Sequence, residues 1–226
     1  MTDPDPKDPV EALLAAAYEL DGPDANRALY AQWADTYESG FVADSHYVYQ
    51  DHVAQAFAQY THDSLQPADV VIDIGCGTGL AGVALRRLLV VVIDGLDISP
   101  EMLHQAQRKQ HDGHAVYRNL IEADLTQHLT IEDNSYAGAV SVGTFTHGHV
   151  GPSALDEVIR IVRPGGRVAI GINAAHYTAT NFGVALDEHA ASHRISDLET
   201  TVAAIYEGAD TDDPDKIARI ARFQVN

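Results

Sequence analysis

Cysteine is almost missing from this sequence: Cys76 stands alone among 226 residues, so no disulfide forms within the chain and a disulfide-stapled scaffold is excluded. Lysine is nearly as scarce. Only Lys7, Lys109 and Lys216 occur, and with the arginines they make 14 cations against 33 Asp and Glu, a formal charge of -19. No compact basic run offsets that excess locally, so phosphate backbones and anionic membrane surfaces would be repelled at long range. Nucleic-acid and membrane partners are therefore not expected. No apolar run approaches the roughly 20 residues of a membrane span, and no basic-then-apolar leader is read at the start. The expected setting is soluble, reducing and cytoplasmic, with the acidity fitting either a saline habitat or a compositional bias.

What is present is enough apolar material for a core. Hydrophobic residues make up 46% of the chain, and this length suits one generous domain, or one domain with a small appendage. The first nine residues carry three prolines and alternating charge, which predicts a frayed start. Three helical stretches follow. Leu13, Leu14, Ala17 and Tyr18 form one apolar stripe; Tyr30, Trp33 and Tyr37 recur at helical spacing in the second; Tyr49, Val53 and Phe57 repeat every four residues in the third, after a Ser45 cap. Residues 1–62 read as a helical extension or lid and 63–226 as the main domain.

From Val70 the texture changes to short apolar runs alternating with helical ones, the pattern of an α/β fold around a mainly parallel sheet. Strands are predicted at Val70 to Ile74, Val91 to Leu96, Ala115 to Arg118, Gly138 to Val142, Arg167 to Ile172, Thr200 to Tyr206 and Ile217 to Val225. Helices are predicted near Leu80 to Leu89, Pro100 to His111, Ser153 to Val162 and Val184 to His193.

The strongest local signal is VVIDIGCGTG, residues 70 to 79. A buried strand runs into Gly75, Gly77 and Gly79, and a helix opens immediately afterwards. Glycines let the backbone turn sharply against a ligand, while the helix start offers unpaired N–H groups and partial positive charge. Gly77, Gly79 and Gly82 also satisfy GxGxxG, with Asp97 twenty residues beyond Gly77, so an NAD oxidoreductase stays open on the glycines alone. Against it stand Asp73, an acid two residues before the first glycine where a pyrophosphate is unwelcome, and the lack of any Tyr followed four residues later by Lys. Little chain is left, besides, for a separate catalytic domain.

DIGCGTG, GLDISPEML (95 to 103), EADL (122 to 125) and VRPGG (162 to 166) together resemble the motifs of class I S-adenosylmethionine-dependent methyltransferases, in order and spacing. YAQWADTY (30 to 37), GTFTHGHVGP (143 to 152) and the closing YEG and ARIARFQV are similar to the Williams-Beuren syndrome region group of that family. The resemblance covers nearly the whole chain. It implies a Rossmann-like seven-stranded mixed sheet with its last strand antiparallel, and S-adenosyl-L-methionine as cofactor. It departs from the group where Ala31 follows Tyr30 and Glu38 follows Tyr37, and where RRLLVVVIDG lacks a glycine or polar turn between first helix and second strand.

The resemblance also implies a set of cofactor contacts. Asp97 would accept from the ribose hydroxyls, as a carboxylate does well, with Ser99 capping the next helix and Pro100 at its first position. Ile98 would lie on the adenine, Asp124 would accept from its amino group, and the Leu125 backbone would supply the ring's other bond. Asp73 and the Gly75 carbonyl would hold the methionine ammonium. Cys76, Gly77, Gly79, Met102 and Gly143 complete the set along the loop and the strand ends, and Tyr30, Trp33 and Tyr37 would fold over it.

Methyl transfer from a sulfonium needs alignment and exclusion of water, needs no metal, and needs a base only where the acceptor must lose a proton. His147 and His149, on the loop after the fourth strand, are the base candidates. The alternative for each is pinning the loop by backbone hydrogen bonds. Phe145 and Tyr177 are expected to shape the acceptor pocket. The expected activity is methyl transfer to a small-molecule acceptor by a monomer or homodimer, against a protein that binds S-adenosylmethionine or S-adenosylhomocysteine without turnover.

Overall fold

The structure is a computed structural model that describes residues 13, 16, 17, 20 and 22–226. The expected frayed start, and the Leu14 and Tyr18 positions of the first stripe, lie outside those residues. Helix α1 spans Pro23–Trp33 and helix α2 Tyr49–Thr61, joined by a π-helical turn at Glu38–Val42 and a short helical turn at Ala43–Ser45. Ser45 does not cap α2. Its hydroxyl turns back to the Phe41 carbonyl at 2.5 Å, and Val48 stands at the helix start without a side-chain cap.

Strand and helix then alternate: β1 (Val70–Ile74), α3 (Leu80–Leu88), β2 (Val92–Asp97), α4 (Pro100–Ala106), β3 (Asn119–Glu122), β4 (Tyr136–Phe145), α5 (Leu155–Ile161), β5 (Val162–Asn173), α6 (Ala174–Ala179), α7 (Phe182–Ala191), β6 (Ile195–Ala204) and β7 (Ile217–Val225). The seven strands order as β3-β2-β1-β4-β5-β7-β6. β1 pairs parallel with β2 and β4, β2 with β3, and β4 with β5. The last strand, β7, lies antiparallel between β5 and β6, from Arg167↔Gln224 to Asn173↔Ala218 on one side. This is the seven-stranded mixed sheet that the motifs implied.

Side chains alternate across the sheet with the period of two that a strand imposes. Ile72, Ile74, Ile170 and Phe223 enter one core, with Leu155 and Val158 of α5. Val71, Val140, Ala169 and Ile220 enter the other, with Leu85 of α3 and Val53 and Phe57 of α2. Helix α2 thus belongs to a layer of the sheet. Gly138 of β4 and Gly171 of β5 admit it so closely that a Cβ at either would run into Phe57 or Tyr49.

Two predicted elements are corrected. The helix from Pro100 ends at Ala106 instead of His111, because Asp112 and Gly113, both at positive φ, turn a small hairpin pairing Gln110–His111 with His114–Ala115. Asp-Gly is a strong signal for such a turn. The third sheet strand falls at Asn119–Glu122 instead of Ala115 to Arg118, since Val116 and Tyr117 bury their side chains under α3 and α4 without joining the ladder. The turn between α3 and β2 needs no glycine: Leu89 takes an extended conformation and Val90 stands 77% exposed.

Candidate cofactor cleft and aromatic pocket

The strand order reverses between β1 and β4, and open α/β sheets bind ligands at the carboxyl ends of strands beside such a reversal. A cleft of about 980 Å³, its open mouth included, lies there. The glycine loop forms its floor. Gly75, Gly77 and Gly79 have φ of 65°, 51° and 97°. A side chain at Gly75 would meet Thr144, whereas Gly77 faces open space, so the first is glycine for packing and the second for its backbone conformation and access. The Cys76 amide donates to the Leu96 carbonyl at 2.9 Å and ties the loop to β2.

Asp97 ends β2 inside the cleft. Its Oδ2 accepts from the Gly77 amide at 2.8 Å and its Oδ1 from the Ser99 amide at 2.9 Å, and the Ser99 hydroxyl caps α4 by accepting from Met102 N at 3.2 Å. Burial raises the Asp97 pKa, and the amides of Ser99, Gly77 and Ile98 oppose that. The carboxylate is thus fixed in direction with lone pairs to spare. Ile98, Met102, Asp124, Leu125, Gly143 and Tyr30 and Tyr37 also line the cleft. Asp124 Oδ1 accepts from the Thr126 amide and hydroxyl at 2.8 and 2.7 Å, which makes it a turn acid as well as a lining one.

Several residues lie elsewhere. Asp73 sits behind the loop, fully buried, accepting from the Tyr117 hydroxyl at 2.7 Å, and desolvation pushes its pKa up to about 7. Gly79 turns toward Lys109 and Tyr117. Cys76 lines the cleft, but burial raises its thiol pKa well above the ordinary value, so it is a filler. Phe145 is wholly buried against Phe182, and Tyr177 stacks on Phe182 beneath Arg219. Neither reaches the cleft, because the strand's alternation turns Phe145 into the opposite core.

The two histidines part company. His149 lines the cleft, its Nδ1 2.6 Å from the His147 carbonyl and its Nε2 3.0 Å from the Tyr30 hydroxyl. That carbonyl can only accept, so Nδ1 carries the proton and Nε2 is the acceptor nitrogen. Burial, with His176 and His147 nearby, lowers the His149 pKa. His147 instead packs edge-on against His176, with its Nε2 3.9 Å from Asp215.

A second, smaller pocket opens beside the cleft, and Tyr30, Tyr37, Tyr47, Gly143 and His149 line both. Trp33 belongs to this pocket and not to the cleft. It is 1% exposed and packs on Tyr30, Tyr37 and Phe41 at ring-centroid distances of 5.9, 5.1 and 5.3 Å. The helical segment that carries these rings is latched over the cofactor motifs. Arg27 donates to the Ile98 carbonyl at 3.2 Å, Gln105 to Asp35 at 2.7 Å, and Lys109 pairs with Glu38 at 2.5 Å. Glu38, a departure from the group's pattern, thus has a place here.

Sequence reasoning missed Asn26, Tyr47, Gln50 and Thr78, all of which line the cleft. Thr78, inside DIGCGTG, was in plain view. Asn26 and Gln50 come from α1 and α2, Tyr47 comes from the link before α2, bridged to Tyr206, and none of the three had a local signal. Gln50 Oε1 and Thr78 Oγ1 are buried without a hydrogen-bond partner among the described residues, a state that favours a polar ligand. The cleft's charged side chains among the described residues are Asp97 and Asp124. Two acids with no Lys or Arg beside them suit a cationic, hydroxyl-rich ligand such as S-adenosylmethionine and do not suit a pyrophosphate.

Residues 71–166 match the family described as the methyltransferase domain. Among curated relatives, methyltransferase-like protein 27 of Homo sapiens is 30% identical over 168 residues, 71% of this chain and 63% of that one. The O-methyltransferase resE of Aspergillus sclerotiorum is 29% identical over 107 residues, 44% and 38%, and methyltransferase GfsG of Streptomyces halstedii 26% over 151 residues, 65% and 54%. The chain thus spans between about a third and two thirds of these relatives' lengths. Among solved structures, magnesium protoporphyrin IX methyltransferase of Synechocystis PCC 6803 with bound S-adenosylhomocysteine superposes with a TM-score of 0.64 at 16% identity, covering 90% of this chain and 99% of that one. A TehB-like S-adenosylmethionine-dependent methyltransferase from Corynebacterium glutamicum gives 0.54 at 18%, covering 90% and 100%.

Fold and site together define a Rossmann-like methyltransferase. Residues 71–166 belong to the methyltransferase-domain family, and the chain as a whole is similar to class I S-adenosylmethionine-dependent methyltransferases.

Proposed function

We propose that this chain transfers the methyl group of S-adenosylmethionine to a small-molecule acceptor seated in the aromatic pocket beside the cleft. The observation that carries the reading is the junction: the cleft meets the pocket at Tyr30, Tyr37, Tyr47, Gly143 and His149. When bound, the cofactor supplies an activated methyl on a sulfonium. Asp97 would hold the ribose, Asp124 and the Leu125 backbone the adenine, and Gln50 and Thr78 the amino-acid end. Tyr30 and Tyr37 exclude water from the junction, and His149 Nε2 takes a proton where the acceptor has one to lose. His147 orients His149 through its carbonyl and is not the base.

A small-molecule acceptor is favoured over a polyanion by the charge of -19, and a Williams-Beuren-type assignment is supported by the match to methyltransferase-like protein 27. The reading is tested by thermal shift with S-adenosylmethionine, S-adenosylhomocysteine and NAD. A ligand at 100 times its Kd stabilises by about 2.7 kcal/mol; both sulfur ligands should do so, and Asp97→Ala should abolish the shift. Stabilisation by NAD alone overturns the reading. Stabilisation by both sulfur ligands, with no methyl transfer across a panel of amines, phenols, thiols and carboxylates, would make the chain a binding protein.

A further inference from the structure

We propose that the acceptor is a neutral phenol, held by Trp33 and Tyr49 and deprotonated by His149 through the Tyr30 hydroxyl. This rests on the methyltransferase reading and names its substrate class. The walls of the smaller pocket are rings, those of Tyr30, Tyr37, Phe41, Tyr47 and Tyr206, set edge-to-face or tilted at centroid distances of 5.4 to 6.4 Å. Such walls favour another aromatic ring. No Asp, Glu, Lys or Arg lines the pocket among the described residues, so a charged acceptor would lose its hydration without a counter-charge.

Two buried donors supply the polar contacts. Trp33 Nε1 and the Tyr49 hydroxyl are 1% and 2% exposed by residue, both residues line the pocket, and neither atom has a hydrogen-bond partner among the described residues. An indole N–H only donates. Burial holds the Tyr49 pKa far above the ordinary value, so it too keeps its proton. Together they call for an oxygen that accepts. An amine fits less well, because an ammonium held against ring faces is the protonated form, which has no lone pair with which to attack.

His149 lines both cavities, with its acceptor nitrogen facing the Tyr30 hydroxyl. The phenol O–H proton passes to the Tyr30 oxygen as the Tyr30 proton passes to His149 Nε2, which faces it at 3.0 Å. The freed oxygen pair forms the O–CH3 bond as the S–CH3 bond breaks with its electrons left on sulfur, and the imidazolium returns its proton to solvent.

Trp33 is the chain's sole tryptophan, so its fluorescence reports on this pocket without any turnover. The full chain, with and without S-adenosylhomocysteine, is titrated with 4-ethylphenol, 4-ethylbenzylamine and 4-ethylbenzoate. A saturable change with 4-ethylphenol is expected at a Kd at least about tenfold below the other two, weakened about tenfold by Tyr49→Phe. Tighter or equal binding of the amine or benzoate overturns the proposal, as does no saturable change with the phenol while S-adenosylhomocysteine still binds. An unchanged Kd in a folded Tyr49→Phe variant overturns the donor role. Loss of S-adenosylhomocysteine binding itself overturns the cofactor reading, and this proposal with it.

Discussion

The motif makes Asp73 a ligand for the cofactor's ammonium; in the structure its carboxylate is buried behind the loop, with Oδ2 accepting from Tyr117 and Oδ1 without a hydrogen-bond partner among the described residues. The motif marked an important acid; the direction of its side chain depended on the strand's alternation and on a tyrosine 44 positions away. Its folded pKa of about 7 lies above the ordinary value of 3.8, so between about pH 4 and 7 the folded state binds more protons than the unfolded one. Asp73 therefore makes stability fall as pH rises through that window, by up to about 1.4 kcal/mol per pH unit. Denaturant unfolding of Asp73→Asn should show a shallower decline there than the parent; parallel profiles would contradict the raised pKa. His149 carries the opposite shift: its lowered pKa keeps the ring neutral at pH 7. The acid limb of kcat/KM should lie below pH 6.5, and His149→Ala should lower kcat by a factor of about 100 to 10,000. A limb above pH 7 would sink the assignment.

The most legible elements were those with strong local periodicity. β1 and β7 fall where the sequence puts them, and α3 differs by one residue. The least legible was the stretch from Gln107 to Glu122. An apolar Val-Tyr pair there looks like a strand but is buried by contacts with α3 and α4 that no local window contains. Helix α2 makes the same point about domain division. Its periodicity announced a helix, whereas its docking depends on two glycines at 138 and 171, far along the chain. Phe57, wholly buried over Gly138, should cost about 3–5 kcal/mol when changed to Ala, measured by urea unfolding. A loss below about 1 kcal/mol would mean that α2 is a detachable lid.

At the scale of the molecule, the charge of -19 is a net repulsion carried mostly by side chains outside the cleft. Raising the ionic strength from about 0.01 to 0.15 M shortens the screening length from about 30 to 8 Å. The melting temperature of the ligand-free chain should therefore climb by a few degrees; a flat or falling value would show that its ion pairs outweigh the repulsion. Among the described residues no helix is long and apolar enough to cross a membrane, in keeping with the absence of long apolar runs.

The sequence by itself determined the class of fold, the glycine loop and the acid at the end of β2. Each is set by interactions within a short span: strand alternation, glycine conformations, and a helix cap that holds the Asp97 loop. Only the tertiary structure decided which aromatic faces the ligand, which histidine enters the cleft, and that Phe145 and Tyr177 stay out of it. Those outcomes rest on packing between segments over a hundred residues apart, as with Tyr30 and His149, and local pattern carries no record of such distances.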